Sequence, residues 1–112
     1  MDLKKIMEVQ NDFDKDHVGN FDWAIAITEN NLEILEFLII CIMGELGELS
    51  NTVKKVVRGD FHLDTKKEQI EEEITDIFIY VVKLCNQLNI DLEANFIKKL
   101  EYNKERFKNY EK

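Results

Sequence analysis

The sequence has no proline and only four glycines among its 112 residues. Because these two residue types interrupt regular structure, their scarcity predicts long helices joined by short turns. Basic residues are also few, with 15 Lys and Arg against 23 Asp and Glu, so the net charge is −8. This charge would repel nucleic-acid phosphates and anionic lipids, and we expect neither a nucleic acid nor a membrane as partner. A small phosphate ligand fits if a cation bridges it to carboxylates.

Cysteine is scarce as well, with only Cys41 and Cys85, each inside an apolar helical pattern. Such thiols are typical of packing residues in a reducing compartment, although the sequence alone leaves a disulfide open. The longest apolar stretch, from Ile34 to Met43, is interrupted by Glu36 and is too short to span a bilayer. The N-terminus lacks the apolar region of a signal peptide. We therefore expect a cytoplasmic protein.

Apolar periodicity and capping residues predict an all-α fold with four helices in a single domain, residues 1–112. The first helix covers about residues 2–16, and a polar loop follows to about residue 30. Asn30 resembles a capping residue that begins the second helix. That helix runs to Arg58, where the following glycine is a plausible stop.

The third helix is predicted to open at a capping box, from Thr65 to Glu68, and to end near Leu88. Its residues 77–82 would also suit a strand, but the capping box and the continuing helical period favour a helix. Asp91 is expected to cap a fourth helix that runs toward the C-terminus. A third helix that is apolar on nearly all sides needs several neighbours to cover it, which predicts a homo-oligomer.

Two pairs of acidic residues, each with a spacing of three, lie on or beside the apolar stripes of the middle helices. At about 100° per residue, Glu45 falls at the centre of the second helix's stripe and Glu48 at its edge. Glu73 borders the stripe of the third helix, and Asp76 adjoins it. Two such carboxylates about 6 Å apart repel by roughly 3 kcal/mol at an effective dielectric near 20. Oxygen ligands without nearby His or Cys select a hard cation, Mg²⁺ or Mn²⁺.

Basic side chains offer both an alternative and a complement to this metal site. Lys55, Lys83 or Lys99 could pair with the acids, or the acids could stay hydrated at helix edges, and the sequence leaves these possibilities open. Lys99, Asn103 and Arg106 share one face of the fourth helix. They are suited to bind phosphates, although an ordinary solvated stripe has the same pattern. Lys55 could bind phosphates in the same way.

Two segments resemble the sequence motifs of the MazG-like, all-α nucleoside triphosphate pyrophosphohydrolases. Residues 44–55, Gly-Glu-Leu-Gly-Glu-Leu-Ser-Asn-Thr-Val-Lys-Lys, resemble the first motif. Residues 71–80, Glu-Glu-Glu-Ile-Thr-Asp-Ile-Phe-Ile-Tyr, resemble the second, and the chain from residue 89 resembles the segment that follows. The resemblance covers about residues 31–107. It implies a helical bundle assembled as a homodimer or a dimer of dimers, which splits a nucleoside triphosphate into the monophosphate and pyrophosphate.

The resemblance also implies roles for individual side chains. Glu45, Glu48, Glu73 and Asp76 would hold Mg²⁺, with Mn²⁺ as a possible substitute, and one of them or Glu72 would activate the attacking water. Substrate contacts fall on a larger set of side chains: Lys55, Tyr80, Lys99, Asn103, Arg106 and Trp23. The aromatic segment that contains Trp23 is similar to one that can stack on the base in some members. A hydrophobic staple or a dimer contact is an equal alternative for this ring.

Three other functions share parts of this pattern, and the sequence argues against one of them. A non-catalytic helical dimer would use its acids only for solubility. A di-iron carboxylate bundle needs Glu-x-x-His pairs, which the sequence lacks. A related pyrophosphohydrolase, acting on phosphoribosyl-ATP or on deoxyuridine nucleotides, would keep the fold and change only the substrate.

Overall fold

The computed structural model describes residues 1–111, which form four α-helices and a short 3₁₀ turn. The elements are α1 (Leu3–Asp16), α2 (Leu32–Arg58), α3 (Leu63–Gln87), α4 (Leu92–Arg106) and the turn Lys108–Tyr110. No strand occurs in this part of the chain. The predicted all-α class is therefore confirmed, and residues 77–82 lie inside α3 as a helix.

The predicted start of α2 was wrong by one residue. The residue that precedes the helix is Asn31, not Asn30, and its side chain makes no capping hydrogen bond to α2. Instead, the Asn31 side chain accepts a hydrogen bond from the Thr28 backbone N–H at 2.6 Å and donates one to the Ala26 carbonyl at 2.9 Å. The asparagine thus closes the loop before α2, which is a common use of this residue type in turns.

The predicted start of α3 was also wrong. The helix begins at Leu63 after His62, so the capping-box sequence from Thr65 to Glu68 lies inside its first turns. His62 provides no side-chain cap. Asp64 lies in the first turn, where its negative charge interacts favourably with the positive end of the helix dipole. Helical geometry therefore extends upstream of the residues that the sequence pattern marked.

The other predicted helix ends are confirmed. Gly59 ends α2 in the left-handed conformation, with φ at 92°, and its N–H donates to the Lys55 and Val56 carbonyls. Asp91 caps α4 by accepting a hydrogen bond from the Ala94 N–H at 2.9 Å. Between α3 and α4, Asn89 adopts a φ of 56°, a conformation that asparagine tolerates better than most residues.

The core lies around α3, which packs against α2 and α1. Glu73 and Val82, on opposite sides of α3 at about 100° per residue, are both buried. The end of α3 also holds the loop after α1, because Gln87 Nε2 donates to the Ile25 carbonyl at 3.1 Å. The backbone N–H of Ile27 donates to the Gln87 carbonyl at 2.9 Å. These bonds place the loop beside the α2–α3 pair.

The fourth helix is the least integrated, because it packs mainly against α1. The radius of gyration is 17.3 Å, whereas a compact chain of this length has a value of about 13 Å. None of the described helices is long and apolar enough to cross a membrane. Large apolar side chains are exposed on all four helices, and α2 and α4 carry most of them, including Ile39, Ile40, Met43, Leu46, Val53 and Val57 on α2, and Phe96, Ile97 and Leu100 on α4.

Candidate active site

A buried hydrogen bond joins the two helices that carry the acidic pairs. The Thr52 hydroxyl lies 3.0 Å from Oε1 of Glu73, and Glu73 is only 6% exposed. Thr52 Oγ1 also accepts a hydrogen bond from Gln69 Nε2 at 3.2 Å. Thr52 itself is buried. This small network fixes Glu73 at the α2–α3 interface, next to the turn of α2 that carries Glu48.

The four predicted acids lie in one electrostatic neighbourhood. Burial raises the pKa of Glu45 above its ordinary value, and the negative charges of Glu48, Asp76 and Glu73 raise it further. Glu45 is half-buried, Glu73 is buried, and Glu48 and Asp76 are exposed. Glu45 therefore lies within electrostatic range of the three other acids, and Glu73 lies at the α2–α3 interface, where it bonds Thr52.

No basic side chain neutralises this group within residues 1–111. The ion pairs there are Lys5–Glu8, Arg58–Asp60, Lys83–Asp14 and Lys104–Glu101. None of them includes the four acids. The alternative in which a lysine pairs with these carboxylates therefore finds no support in the described chain.

The acidic group is suited to a hard cation, although its ligands do not converge. Within residues 1–111, no three His, Cys, Asp or Glu side chains come together as a metal-binding group. Glu73 is directed to Thr52 instead. The available donors are carboxylate oxygens only, and the negative charges of three further acids act on Glu45. Oxygen donors with excess negative charge fit Mg²⁺ or Mn²⁺ rather than zinc.

The acidic surface continues along α3 away from α2. An open groove of about 450 Å³ is lined by Glu68, Glu71, Glu72, Thr75 and Asp76. Glu68 and Glu71 are exposed, and Asp76 belongs both to this groove and to the group of four acids. An anion could approach this groove only together with cations.

Aromatic rings form a wall beside the acids. Trp23 lies 4.5 Å from Phe21, 6.1 Å from Phe37 and 5.8 Å from Tyr80, measured between ring centroids. Trp23 and Tyr80 are half-buried. Burial raises the pKa of the Tyr80 phenol, and Cys41 and the charges of Glu45 and Asp76 raise it further. Tyr80 therefore links the aromatic wall to the acidic group.

The predicted phosphate-binding residues are not brought to the acids within one chain. Lys99, Asn103 and Arg106 lie on α4, whose main partner is α1. The Lys99 ammonium group lies 4.9 Å from the Tyr102 ring centroid, and Arg106 lies 5.0 Å from the Phe107 ring centroid. Lys55 on α2 is half-buried and belongs to none of the ion pairs of the described chain.

Both cysteines are free, in agreement with the prediction of packing thiols. Burial raises the pKa of the Cys85 thiol, which is 7% exposed. Burial also raises the pKa of the Cys41 thiol, although the neighbouring Tyr80 opposes this shift. Neither thiol is activated as a nucleophile, because a raised pKa reduces the thiolate fraction.

Sequence reasoning missed three residues that organise the site: Thr52, Gln69 and Asp14. Thr52 had a usable signal, because it follows Glu45 by seven residues and therefore lies on the same face of α2. Asp14 had none, since its partner Lys83 is far away in sequence.

Comparison with known proteins agrees with this all-helical, carboxylate-rich class of domain. A sequence model described as the MazG nucleotide pyrophosphohydrolase domain matches residues 34–110, well over half of the chain. The chain belongs to this family. It is also 31% identical over 67 residues to the Gene 37 protein of Mycobacterium phage L5. That match spans 58% of this chain and 59% of the phage protein. No solved structure matches the chain significantly.

Proposed function

We propose that the protein hydrolyses a nucleoside triphosphate to the nucleoside monophosphate and pyrophosphate in a reaction that needs Mg²⁺. One observation carries this proposal: the charges of Glu48, Glu73 and Asp76 act on Glu45, and none of these four acids has a basic partner in the described chain. Membership of the MazG family supports the same reaction class. A group of uncompensated carboxylates is costly to maintain, and divalent cations would offset that cost.

In this proposal, Glu45, Glu48, Glu73 and Asp76 hold the metal, and Mn²⁺ could replace Mg²⁺. The bound metal would neutralise the triphosphate and lower the pKa of an attacking water. Thr52 supports the site by holding the Glu73 carboxylate through its hydroxyl. A carboxylate of the set, or a neighbour such as Glu72 in the acidic groove, would orient the water.

The nucleoside part of the substrate is proposed to lie against the aromatic wall. Tyr80 adjoins both the acids and Trp23, so a base beside these rings would leave its phosphates near the carboxylates. An aromatic ring can stack on any of the bases, because every base has a π-face. Lys55, on the same helix as Glu45, is a candidate phosphate ligand from within the chain.

The remaining phosphate ligands are proposed to come from a second copy of the chain. Lys99, Asn103 and Arg106 lie on a helix that packs mainly against α1 of its own chain. The exposed apolar side chains of α2 and α4 provide a surface that a homodimer or a homotetramer would cover. The expanded radius of gyration agrees with a protomer that is completed by assembly. We infer that α4 of one protomer provides phosphate-binding side chains to the acidic site of another.

We also propose that the enzyme works in the cytoplasm. Its two cysteines are free, and Cys85 is buried. Unpaired thiols are typical of a reducing compartment.

The decisive experiment is a panel of the ribo-, deoxyribo- and damaged nucleoside triphosphates, incubated with Mg²⁺ and with a chelator. We expect equimolar monophosphate and pyrophosphate from at least one substrate, and none with the chelator. Release of orthophosphate instead would contradict the reaction class. Complete inactivity would favour a non-catalytic helical module. In that case, Mg²⁺ with a triphosphate analogue should leave the melting temperature unchanged, because a specific site would raise it.

A further inference from the structure

A buried ion pair lies behind the aromatic wall. Lys83 Nζ lies 3.3 Å from Oδ1 of Asp14, and their side chains are 13% and 2% exposed. Gln10 Nε2 donates a second hydrogen bond to the same oxygen at 3.1 Å. Ionised groups this well removed from water are rare unless they are paired. The pair connects α1 to α3 and has no part in the chemistry proposed above.

The ammonium group of Lys83 also faces two rings. It lies 4.3 Å from the centroid of Trp23 and 5.8 Å from that of Tyr80. A cation attracts the face of an indole ring, and the attraction is stronger when both are removed from water. The Lys83 ammonium group therefore contacts both the Asp14 carboxylate and the Trp23 ring, and the Asp14 carboxylate holds it in place.

Trp23 needs such a support because it lies outside the helices, in the segment between α1 and α2. The side chain of the preceding Asp22 only closes a local turn, accepting a hydrogen bond from the Ala24 N–H at 2.9 Å. The ring's other neighbours are Phe21, Phe37 and Tyr80, at centroid distances of 4.5, 6.1 and 5.8 Å. The Lys83 cation is the charged contact on the indole, and its position on α3 is fixed by the pair with Asp14.

We propose that Asp14 and Lys83 are positioning residues, which hold Trp23 against Tyr80 and thereby set the affinity for the nucleoside part of the substrate. This inference rests on the proposed function. Asp14 acts at a distance, through Lys83 and Trp23, and does not itself touch substrate. The specificity of the site is then determined partly by α1, which carries none of the proposed metal ligands.

The first test uses fluorescence, because Trp23 is the only tryptophan of the chain. In Asp14→Asn and in the double variant Asp14→Asn/Lys83→Met, we expect a shifted emission maximum and easier quenching by acrylamide. The double variant controls for misfolding, because it removes both charges and leaves neither of them buried without its partner. The matched control is Glu8→Gln, which removes an exposed ion pair on the same helix. Unchanged emission in both variants, with intact helical circular dichroism, would overturn the inference.

The second test uses steady-state kinetics with the best substrate from the nucleotide panel. We expect Asp14→Asn to raise KM by roughly tenfold with kcat unchanged, because only binding shared by ground and transition states is lost. In a Trp23→Ala background the same substitution should have no further effect, since the two residues act as one unit. An equal rise in KM in both backgrounds would show a merely structural role and refute the inference.

These two readouts separate failure of the inference from failure of the proposed function. If the wild-type protein hydrolyses no nucleotide, the proposed function is wrong, and fluorescence still decides whether the ion pair orients Trp23. If the wild-type protein is active and KM is insensitive to Asp14, only the positioning role is refuted.

Discussion

The Thr52 hydroxyl on α2 lies 3.0 Å from the buried carboxylate of Glu73 on α3, across the helix interface, and 3.1 Å from the Glu48 carbonyl of its own helix. This contact connects the two acidic pairs structurally, because Glu48 lies one turn before Thr52 and Asp76 lies one turn after Glu73. Thr52 thus helps to hold one of the four carboxylates in place, although its own side chain is uncharged.

Replacing Thr52 by valine should destabilise the protein. The substitution keeps the shape but leaves Glu73 and Gln69 without a partner, which costs about 1–3 kcal/mol. Urea denaturation at one fixed protein concentration would measure the loss. Thr52→Ser, which retains the hydroxyl, should recover most of it. Thr75→Val is the matched control, because the Thr75 hydroxyl is exposed and bonds only the Glu71 carbonyl. An equal loss in both valine variants would contradict this role for Thr52.

Removing the charge of Glu45 or Asp76 should abolish turnover. We expect Glu45→Gln and Asp76→Asn each to reduce pyrophosphate release at least about 100-fold, because the metal loses a charged ligand. Helical circular dichroism should remain intact. Glu33→Gln, an exposed acid on the same helix as Glu45, should retain activity. Wild-type rates in both site variants would disprove the assignment of the acids.

Like charges on the exposed apolar face of α2 should dissociate the proposed homo-oligomer. Met43 and Leu46 are 64% and 53% exposed in the single chain. We expect Met43→Glu/Leu46→Glu to sediment as a monomer, because burying unpaired charges in an interface is unfavourable. Val18→Lys places a charge on an apolar side chain in the loop after α1, and it should leave the assembly unchanged. Sedimentation velocity distinguishes the species. A double variant that remains oligomeric would exclude this face as the interface.

Mixing two inactive variants should restore activity if α4 works in trans. Glu45→Gln and Lys99→Ala/Arg106→Ala damage different parts of the proposed site. In a dimer, half of the mixed assemblies contain both variants, each with one intact site, so roughly one quarter of wild-type activity should return. The variants must be mixed after partial unfolding, so that subunits exchange. Activity no higher than that of the separate variants would place α4 and the acids in the same chain.

The helices could be predicted because they depend on local geometry. A period of 3.6 residues determines which side chains share a face of a helix, and Glu73, which borders the apolar stripe in the helical projection, is buried against Thr52 of α2. Helix starts were less predictable. Thr65 begins a capping-box sequence, but α3 already starts at Leu63. The functional roles of the site residues remain predictions.

Contacts between distant segments could not be predicted in the same way. The Asp14–Lys83 pair joins residues on different helices, and nothing in the local pattern around Asp14 selects its partner. The packing partner of α4 could not be predicted either, because its exposed Phe96 and Leu100 would suit packing against any helix. Sequence periodicity shows which face of a helix is apolar, but it does not show what covers that face.

If the protein is the enzyme proposed above, the packing of α4 against α1 would make its activity depend on protein concentration. A protomer that obtains its phosphate ligands from a neighbour has no complete site when it is alone. Its specific activity would then fall on dilution, together with its resistance to unfolding, because mass action governs both. The amount of protein in the cell would then control the rate of nucleotide hydrolysis per molecule, without a separate effector.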